Sequence, residues 1–280
     1  MRKITLITIT YNAEMVLKST LDSVFCQDYN AIEHIIVDGA STDNTVAIAK
    51  DYMERSFASD GGHEVRMLVE PDNGIYDAMN KGLQMATGEY VCFLNAGDSL
   101  HSANTISKIV ACIDAYCKAN GTEKTAAKCG DTEGAAAACS APAVVYGDTD
   151  IVDGDRVFLR HRRLSPPEEL SWQSFRQGML VCHQAFYARA DIAKATPYNM
   201  TYRYSADFDW CIRIMKRATE EGLSMVNVHD VVADYLEEGT TTRHRKASLR
   251  ERFRIMAHHY GMASTCLNHV WFVVRALIKR

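Results

Sequence analysis

Within the first hundred residues, four short apolar runs alternate with three stretches of helical periodicity, and polar residues gather where the runs stop. The run over residues 4–10 is β-branched and apolar on both faces, as expected of a strand buried on both sides in a parallel sheet. Further strands are expected over 34–38, 65–69 and 89–94. Between them Leu17, Leu21, Val24 and Phe25, then Val46, Ala49 and Met53, then Ile75, Met79, Leu83 and Ala86 recur at helical spacing. Asn12 and residues 41–44 are candidate N-caps, and Gly88 is a C-terminal stop. A chain in this order is an α/β doubly wound fold, whose ligands bind beyond the carboxyl ends of the strands.

The residues expected at that edge are Thr10, Tyr11, Asn12, Asp38, Gly39 and the turn Asn95-Ala96-Gly97-Asp98. A carboxylate where a buried strand stops is costly to leave unpaired, so it meets solvent, a ligand or a metal there. The stretch 72–98 therefore reads as one wall of a site: an acidic turn, a helix whose polar side carries Asp77, Asn80 and Lys81, and a strand ending at Asp98.

The second half is mixed. Ser102 caps a further helix with Ile106, Ile109, Val110 and Ile113 on one face, and residues 119–142 turn to Ala, Gly, Thr and Lys without a period, as in a surface insertion. Asp153-Gly154 between apolar runs predicts a hairpin. A strand is expected over 182–188, a helix over 207–217 and a basic helix over 249–260. A last apolar face carries Leu267, Val270, Trp271 and Val274 beside Arg275, Lys279 and Arg280. Such a face suits an anionic inner-membrane surface, packing on the domain, or a second subunit.

Composition narrows the function classes. A formal charge of −4 gives no overall field for nucleic acid. Nine cysteines with no CxxC pair point to reduced core thiols rather than a disulfide frame. No run reaches the roughly 18 apolar residues of a spanning helix, and the short threonine-rich start lacks a cleavage segment, so the expected location is cytoplasmic. The first turn, Thr10-Tyr11-Asn12-Ala13-Glu14, has none of the glycines that a dinucleotide or P-loop site uses to bring amides to phosphate.

Four ordered segments, TYNAE after the first strand, IIVDGASTDNT after the second, DNGIYDAMNKGLQMATGEY and FLNAGD, resemble family 2 glycosyltransferases of the bacterial cell-surface polysaccharide type. The likeness is close over residues 3–100 and looser beyond. It implies a GT-A fold, with residues 1–100 as donor-binding half, 101–260 as acceptor and catalytic half, and 261–280 as a C-terminal amphipathic helix. It also implies transfer of a sugar from a nucleotide donor, usually with inversion, to a hydroxyl of a glycan or lipid-linked glycan. A UDP-sugar is the favoured donor.

By the same resemblance Asp38 contacts the base, and Thr10, Tyr11, Asn12 and Glu14 line the nucleotide pocket. Asp72, Asp77, Asn80, Lys81, Asn95, Ala96 and Gly97 complete the donor side. Asp98 corresponds to the family's metal-binding acid, for Mg²⁺ or Mn²⁺, although Asn95 and Gly97 stand where further carboxylates are usual. Tyr204 to Trp210 resembles the catalytic segment with Ala206 in place of Glu, making Asp207 the base and Asp209 its runner-up. His183 and Gln184 match a segment on the acceptor side, and residues 238–242 resemble a loop near the donor.

Each has a plainer reading: Asp38 as a turn carboxylate, Asp72 and Asn73 as caps, Asp77 with Lys81 as an i,i+4 pair, and Asp207 and Asp209 as acids stabilising a helix start. Arg160, Arg162, Arg163 and the basic residues 243–246 either offset diphosphate charge or form solvated faces. Two competing functions remain on sequence: a sugar-nucleotide-binding protein impaired in catalysis, and a nucleotidyltransferase.

Overall fold

In the computed structural model, residues 1–59, 62–126, 141–237 and 245–278 are described. The β-branched first run forms β1 (Ile4–Thr10), every residue of which is buried. It pairs in parallel with β2 (Ile32–Asp38) on one side and β4 (Tyr90–Phe93) on the other, and β2 pairs in parallel with β3 (Glu64–Val69). Helices α1 (Leu17–Phe25), α2 (Thr45–Ala58) and α3 (Ile75–Met85) make the crossovers. The chain thus winds outward from β1 to β3, then returns through α3 to the opposite side of β1. That reversal leaves a crevice beyond the ends of β1 and β4, the place where α/β sheets of this kind receive ligands.

The sheet continues as the order β3-β2-β1-β4-β8-β6-β9-β5, with β7 paired to β6. Here β5 is Ser99–Leu100, β6 Val144–Val152, β7 Phe158–His161, β8 Phe186–Arg189 and β9 Met225–Leu236. The hairpin at Asp153-Gly154 is present as β6 antiparallel to β7. The remaining described helices are α4 (Thr105–Ala126), α5 (Ala190–Lys194), α6 (Ala206–Glu220), α7 (Arg245–Tyr260) and α8 (Met262–Ile278). Among the described residues no helix is long and apolar enough to cross a membrane.

Three expectations change. Asn12 does not cap α1, which starts later after a turn closed by Val16 N and Leu17 N on Ala13 O; its side chain goes to the neighbouring loop instead. Residues 182–188 are not one strand: His183–Ala185 forms a 3₁₀ turn ahead of β8, because Cys182 O accepts from Ala185 N. The expected insertion at 119 begins inside α4, which runs on to Ala126, and residues 127–140 lie outside the described residues.

The core that positions the site is aromatic. Tyr76 of α3 stacks on Tyr198 with centroids 5.4 Å apart, and Tyr198 stacks on Trp210 of α6 at 5.0 Å. Phe93 of β4 meets Tyr198 and Trp210 edge-on. Trp210 is fully buried, so the start of α6 is tied to the end of β4 and the start of α3.

Candidate active site

At the ends of β1 and β2 two loops are stitched together. Asn12 N–H donates to Ser41 Oγ, Ala13 N–H to Thr45 Oγ1, and Glu14 N–H to Asp43 Oδ2. In return Thr42 N–H donates to Asn12 Oδ1 and Asn44 N–H to Glu14 Oε2. Asn12 holds a left-handed backbone (φ 47°), which its short amide tolerates. Asn12 and Glu14 therefore shape the rim by bonding to the facing loop.

Asp38 is buried, with Oδ2 accepting from Thr10 Oγ1 at 2.9 Å and from Ser41 Oγ at 2.6 Å, and Oδ1 from Ser41 N–H at 2.7 Å. Next to it an exposed corner opens. A Cβ on Gly39 would lie 2.5 Å from Asp72 Oδ2 and 3.3 Å from the Tyr11 ring, so only glycine lets these groups close over the backbone here. Tyr11 is 63% exposed, leaving a ring face available to a planar ligand beside the Asp72 carboxylate.

The helix α3 is more self-contained than its polar face suggests. Asp77 Oδ2 accepts from Asn73 N–H at 2.9 Å, closing the turn before the helix. Lys81 Nζ is held by Glu70 Oε1 at 2.8 Å and Pro71 O at 2.9 Å. Asn80 spends both ends of its amide on the Tyr198 backbone. All three brace the wall around Asp72 through protein contacts.

After β4 the chain turns through Asn95, Ala96 and Gly97, where φ of 104° at Gly97 favours glycine. Asp98 emerges 5% exposed, accepting from Leu236 N–H and Gln184 Nε2, each at 3.2 Å. Burial pushes its carboxyl up to about 6, against the pull of His183, Leu236 N–H and Arg156. Among the described residues Asn95 Oδ1 is buried without a partner, while Asn95 Nδ2 lies 3.0 Å from His183 Nε2. An under-compensated carboxylate and an orphaned amide oxygen are hard oxygen donors, which fit Mg²⁺ or Mn²⁺.

Across the pocket, Asp207 sits in the first turn of α6, 3.5 Å from His183 Nδ1 and 3.2 Å from the Tyr76 hydroxyl, which donates to it. Burial works to raise its carboxyl, but the hydrogen bond and charge of His183, then Arg252 and Phe208 N–H, hold it below the usual carboxylate range. Asp209 is differently placed: it is 2% exposed, and its oxygens take Arg213 Nε at 2.6 Å and His259 Nε2 at 2.8 Å. A carboxylate so enclosed ties α6 to α7 and leaves no oxygen for a substrate.

The structure thus brings Asn95, Asp98, His183, Gln184 and Asp207 together, with Tyr11, Asp38 and Asp72 along the edge. Gln184 donates its Nε2 hydrogen to Asp98 Oδ2. Among the basic residues, Arg160 pairs with Glu237 and Arg162 donates to the carbonyls of Leu164, Met179 and Leu180. Residues 238–244, with the resembling loop and the first of the basic cluster, lie outside the described residues. Two neighbours escaped the sequence reading. Tyr76 lies within a quoted motif yet shows nothing in its spacing, and Arg156, whose charge reaches Asp98, sits in the hairpin loop between β6 and β7 with no pattern of its own.

Comparison places this geometry among known proteins. The structure of residues 1–349 of S. aureus TarS superposes with a TM-score of 0.67 at 15% identity, over 96% of this chain and 72% of that one. A mannosyltransferase from Pyrobaculum calidifontis, in complex with GDP-Man and Mn²⁺, superposes with a TM-score of 0.55 at 16% identity, over 98% of this chain and 75% of that one. The fold is GT-A, that of an α/β nucleotide-sugar transferase. The model of Glycosyl transferase family 2 matches residues 5–194, and the chain belongs to that family of glycosyltransferases. A PGL/p-HBAD biosynthesis glycosyltransferase of Mycobacterium bovis is 34% identical over 233 residues, covering 82% of this chain and 75% of the relative.

Proposed function

We propose that this glycosyltransferase moves a sugar, with inversion, from a nucleoside diphosphate donor, a UDP-sugar in the first instance, to a hydroxyl of a glycan or lipid-linked glycan in cell-surface polysaccharide synthesis. The observation that carries the proposal is Asp207: a carboxylate kept ionised at the pocket wall, facing Asn95 and Asp98 across His183. The M. bovis relative, named for PGL/p-HBAD biosynthesis, and a TarS structure in complex with UDP-GlcNAc support the choice of acceptor and donor classes.

In this reading Tyr11 stacks on the base and Asp72 accepts a ring N–H in place of Asp38, whose buried oxygens are taken by the Thr10 and Ser41 groups that shape the pocket floor. Asn95 and Asp98 hold the divalent cation, which when bound neutralises charge on the departing diphosphate. The acceptor enters through the cleft of about 310 Å³ between the start of α3 and residues 200–203, which Tyr76 lines beside Asp207. Its oxygen attacks the anomeric carbon, the carbon–phosphate oxygen bond breaks with its electron pair leaving on the nucleoside diphosphate, and the hydroxyl proton passes to Asp207. A carboxylate of low basicity serves because the hydroxyl becomes strongly acidic as the new bond forms.

Residues 1–100 then act as the donor half and 101–260 as the acceptor half. The exposed side chains of Met262, Leu267, Val270 and Trp271 on α8 rest on the inner-membrane surface where a lipid-linked acceptor is presented. A thermal-shift screen of UDP-, GDP- and dTDP-sugars with and without Mn²⁺, followed by transfer assays, tests this. UDP-sugars stabilise the protein in the presence of Mn²⁺, and Asp207→Asn binds donor normally but loses 10²- to 10⁴-fold in kcat. Stabilisation by none of these donors, or near-normal transfer by Asp207→Asn, defeats the proposal.

A further inference from the structure

At the far end of the sheet, a second group of ligating side chains lies outside the donor pocket. Register pairs Asp150 of β6 with Asp234 of β9 and with His161 of β7, and pairs Asp234 with Ser99 of β5. One row across four strands therefore carries two adjacent carboxylates, with His161 at one end and His101, two residues beyond Ser99, at the other. His101 Nδ1 lies 2.7 Å from Asp234 Oδ1, and His161 Nδ1 lies 2.8 Å from Asp150 Oδ1.

Two carboxylates directly opposite on neighbouring strands repel. Asp150 is 6% exposed, so solvent screens it poorly. Arg156 is a nearby fixed cation; its charge is shared between Asp98 and Asp234, and its hydrogen bonds go to Ser19 and Ser99. The row is thus a negatively charged notch edged by imidazoles. One ligand atom from each of His101, Asp150 and Asp234 lies within 4.8 Å of the others. Donors about 2.0–2.2 Å from a common centre stand closer together than that, so small side-chain rotations close the set.

We propose that His101, Asp150 and Asp234 form a binding site for a divalent transition-metal ion of the zinc class, with His161 or water in the fourth position. The mixed nitrogen and oxygen donors distinguish it from the all-oxygen set around Asp98. Such an ion clips the turn after β5 to β6 and β9. Because β5 starts at the residue after Asp98, it also anchors the strand that fixes the end of the donor-side turn.

The test uses the full chain, untagged and stripped by chelator, titrated with Zn²⁺ by calorimetry and with Co²⁺ by visible absorption. Expected are one equivalent of ion bound with a nitrogen–oxygen Co²⁺ spectrum, a raised Tm, and at least 30-fold weaker uptake in both His101→Gln and Asp234→Asn, with uptake unchanged in Asp98→Asn. His101 is half-exposed, so its substitution leaves the fold intact. No uptake by the wild-type chain overturns the proposal. So does uptake that survives either substitution, or a thiolate charge-transfer band, which would assign the ion to cysteine.

Discussion

His183 Nδ1 lies 3.5 Å from Asp207 Oδ2, while its Nε2 lies 3.0 Å from Asn95 Nδ2, so one imidazole spans the two walls of the pocket. Nδ1 faces the carboxylate and Nε2 the Asn95 amide, so the ring is fixed from both sides. His183 orients the carboxylate and holds its proton affinity down. Replacing it by alanine is expected to lower kcat about 10²-fold with little change in donor KM. Loss of the imidazole lets burial raise the Asp207 carboxyl, so the acid limb of the kcat/KM profile moves to higher pH. An unmoved acid limb with a lowered kcat would show that His183 does not act through Asp207.

Asp98 predicts a conflict between stability and activity. Its folded-state carboxyl is raised by burial from 3.8 to about 6, so the folded protein binds this proton more tightly than the unfolded chain. Stability from this residue therefore falls as the pH rises from about 4 through 6 and stays low above it. In metal-free protein at pH 7.5, Asp98→Asn is expected to be more stable than wild type by about 1–3 kcal/mol, with the gap closing toward pH 4. The same variant is expected to lose transfer activity. Urea denaturation at several pH values, with EDTA present, measures the first; a variant less stable than wild type at pH 7.5 contradicts it.

Tyr11 is expected to act on binding alone. Its ring is exposed and its Cδ2 rests near Gly39, so removing it breaks no buried packing. Base stacking on an aromatic is worth about 1–3 kcal/mol, so Tyr11→Ala raises the Kd for UDP about 10- to 100-fold. Tm without ligand stays within about 1 °C, because the ring supports no core contact. Calorimetry with UDP and a parallel melt decide it; unchanged affinity removes Tyr11 from the base site.

The sequence made the strand ends legible because burial on both faces leaves a continuous apolar run, and such a run in β1 shows where Thr10 must surface. Order and spacing then put Asp38, Asp72 and Asp98 at one edge, the family resemblance added Asp207, and the structure collects those residues there. Legibility stopped at how polar side chains partner. Asn80, Lys81 and Asp209 have the residue types of a ligand site, yet each is taken up by a contact distant in sequence: Tyr198, Glu70 and His259. Such pairs depend on the third dimension and leave no period along the chain. The row from His101 to His161 was invisible for the same reason, since its members come from three strands and the turn after β5 and meet only through register.

Glu33 supplies the sharpest stability prediction. It is fully buried within β2, and its carboxylate accepts Thr5 Oγ1 at 2.6 Å, Thr87 N–H at 2.7 Å, Thr87 Oγ1 at 2.8 Å and Arg66 Nη1 at 3.1 Å. These bonds fasten the end of α3, and with it the start of β4, to β1 and β2. Burial works to raise its carboxyl, but the Thr5, Thr87 and Arg66 donors together hold it below the ordinary value. A lowered folded-state value stabilises the protein at pH above the unfolded value near 4.5, and that contribution is lost as the pH falls through the folded value. Glu33→Ala strands several donors in the core and is expected to destabilise by about 2–4 kcal/mol at pH 7. Glu33→Gln keeps the shape and part of the bonding, so it falls between the two. The difference between wild type and Glu33→Gln is expected to shrink below pH 4.5, and chemical denaturation across pH 3.5–7 measures it; a difference that is constant over that range would show that the carboxylate's charge contributes nothing to holding α3 on the sheet.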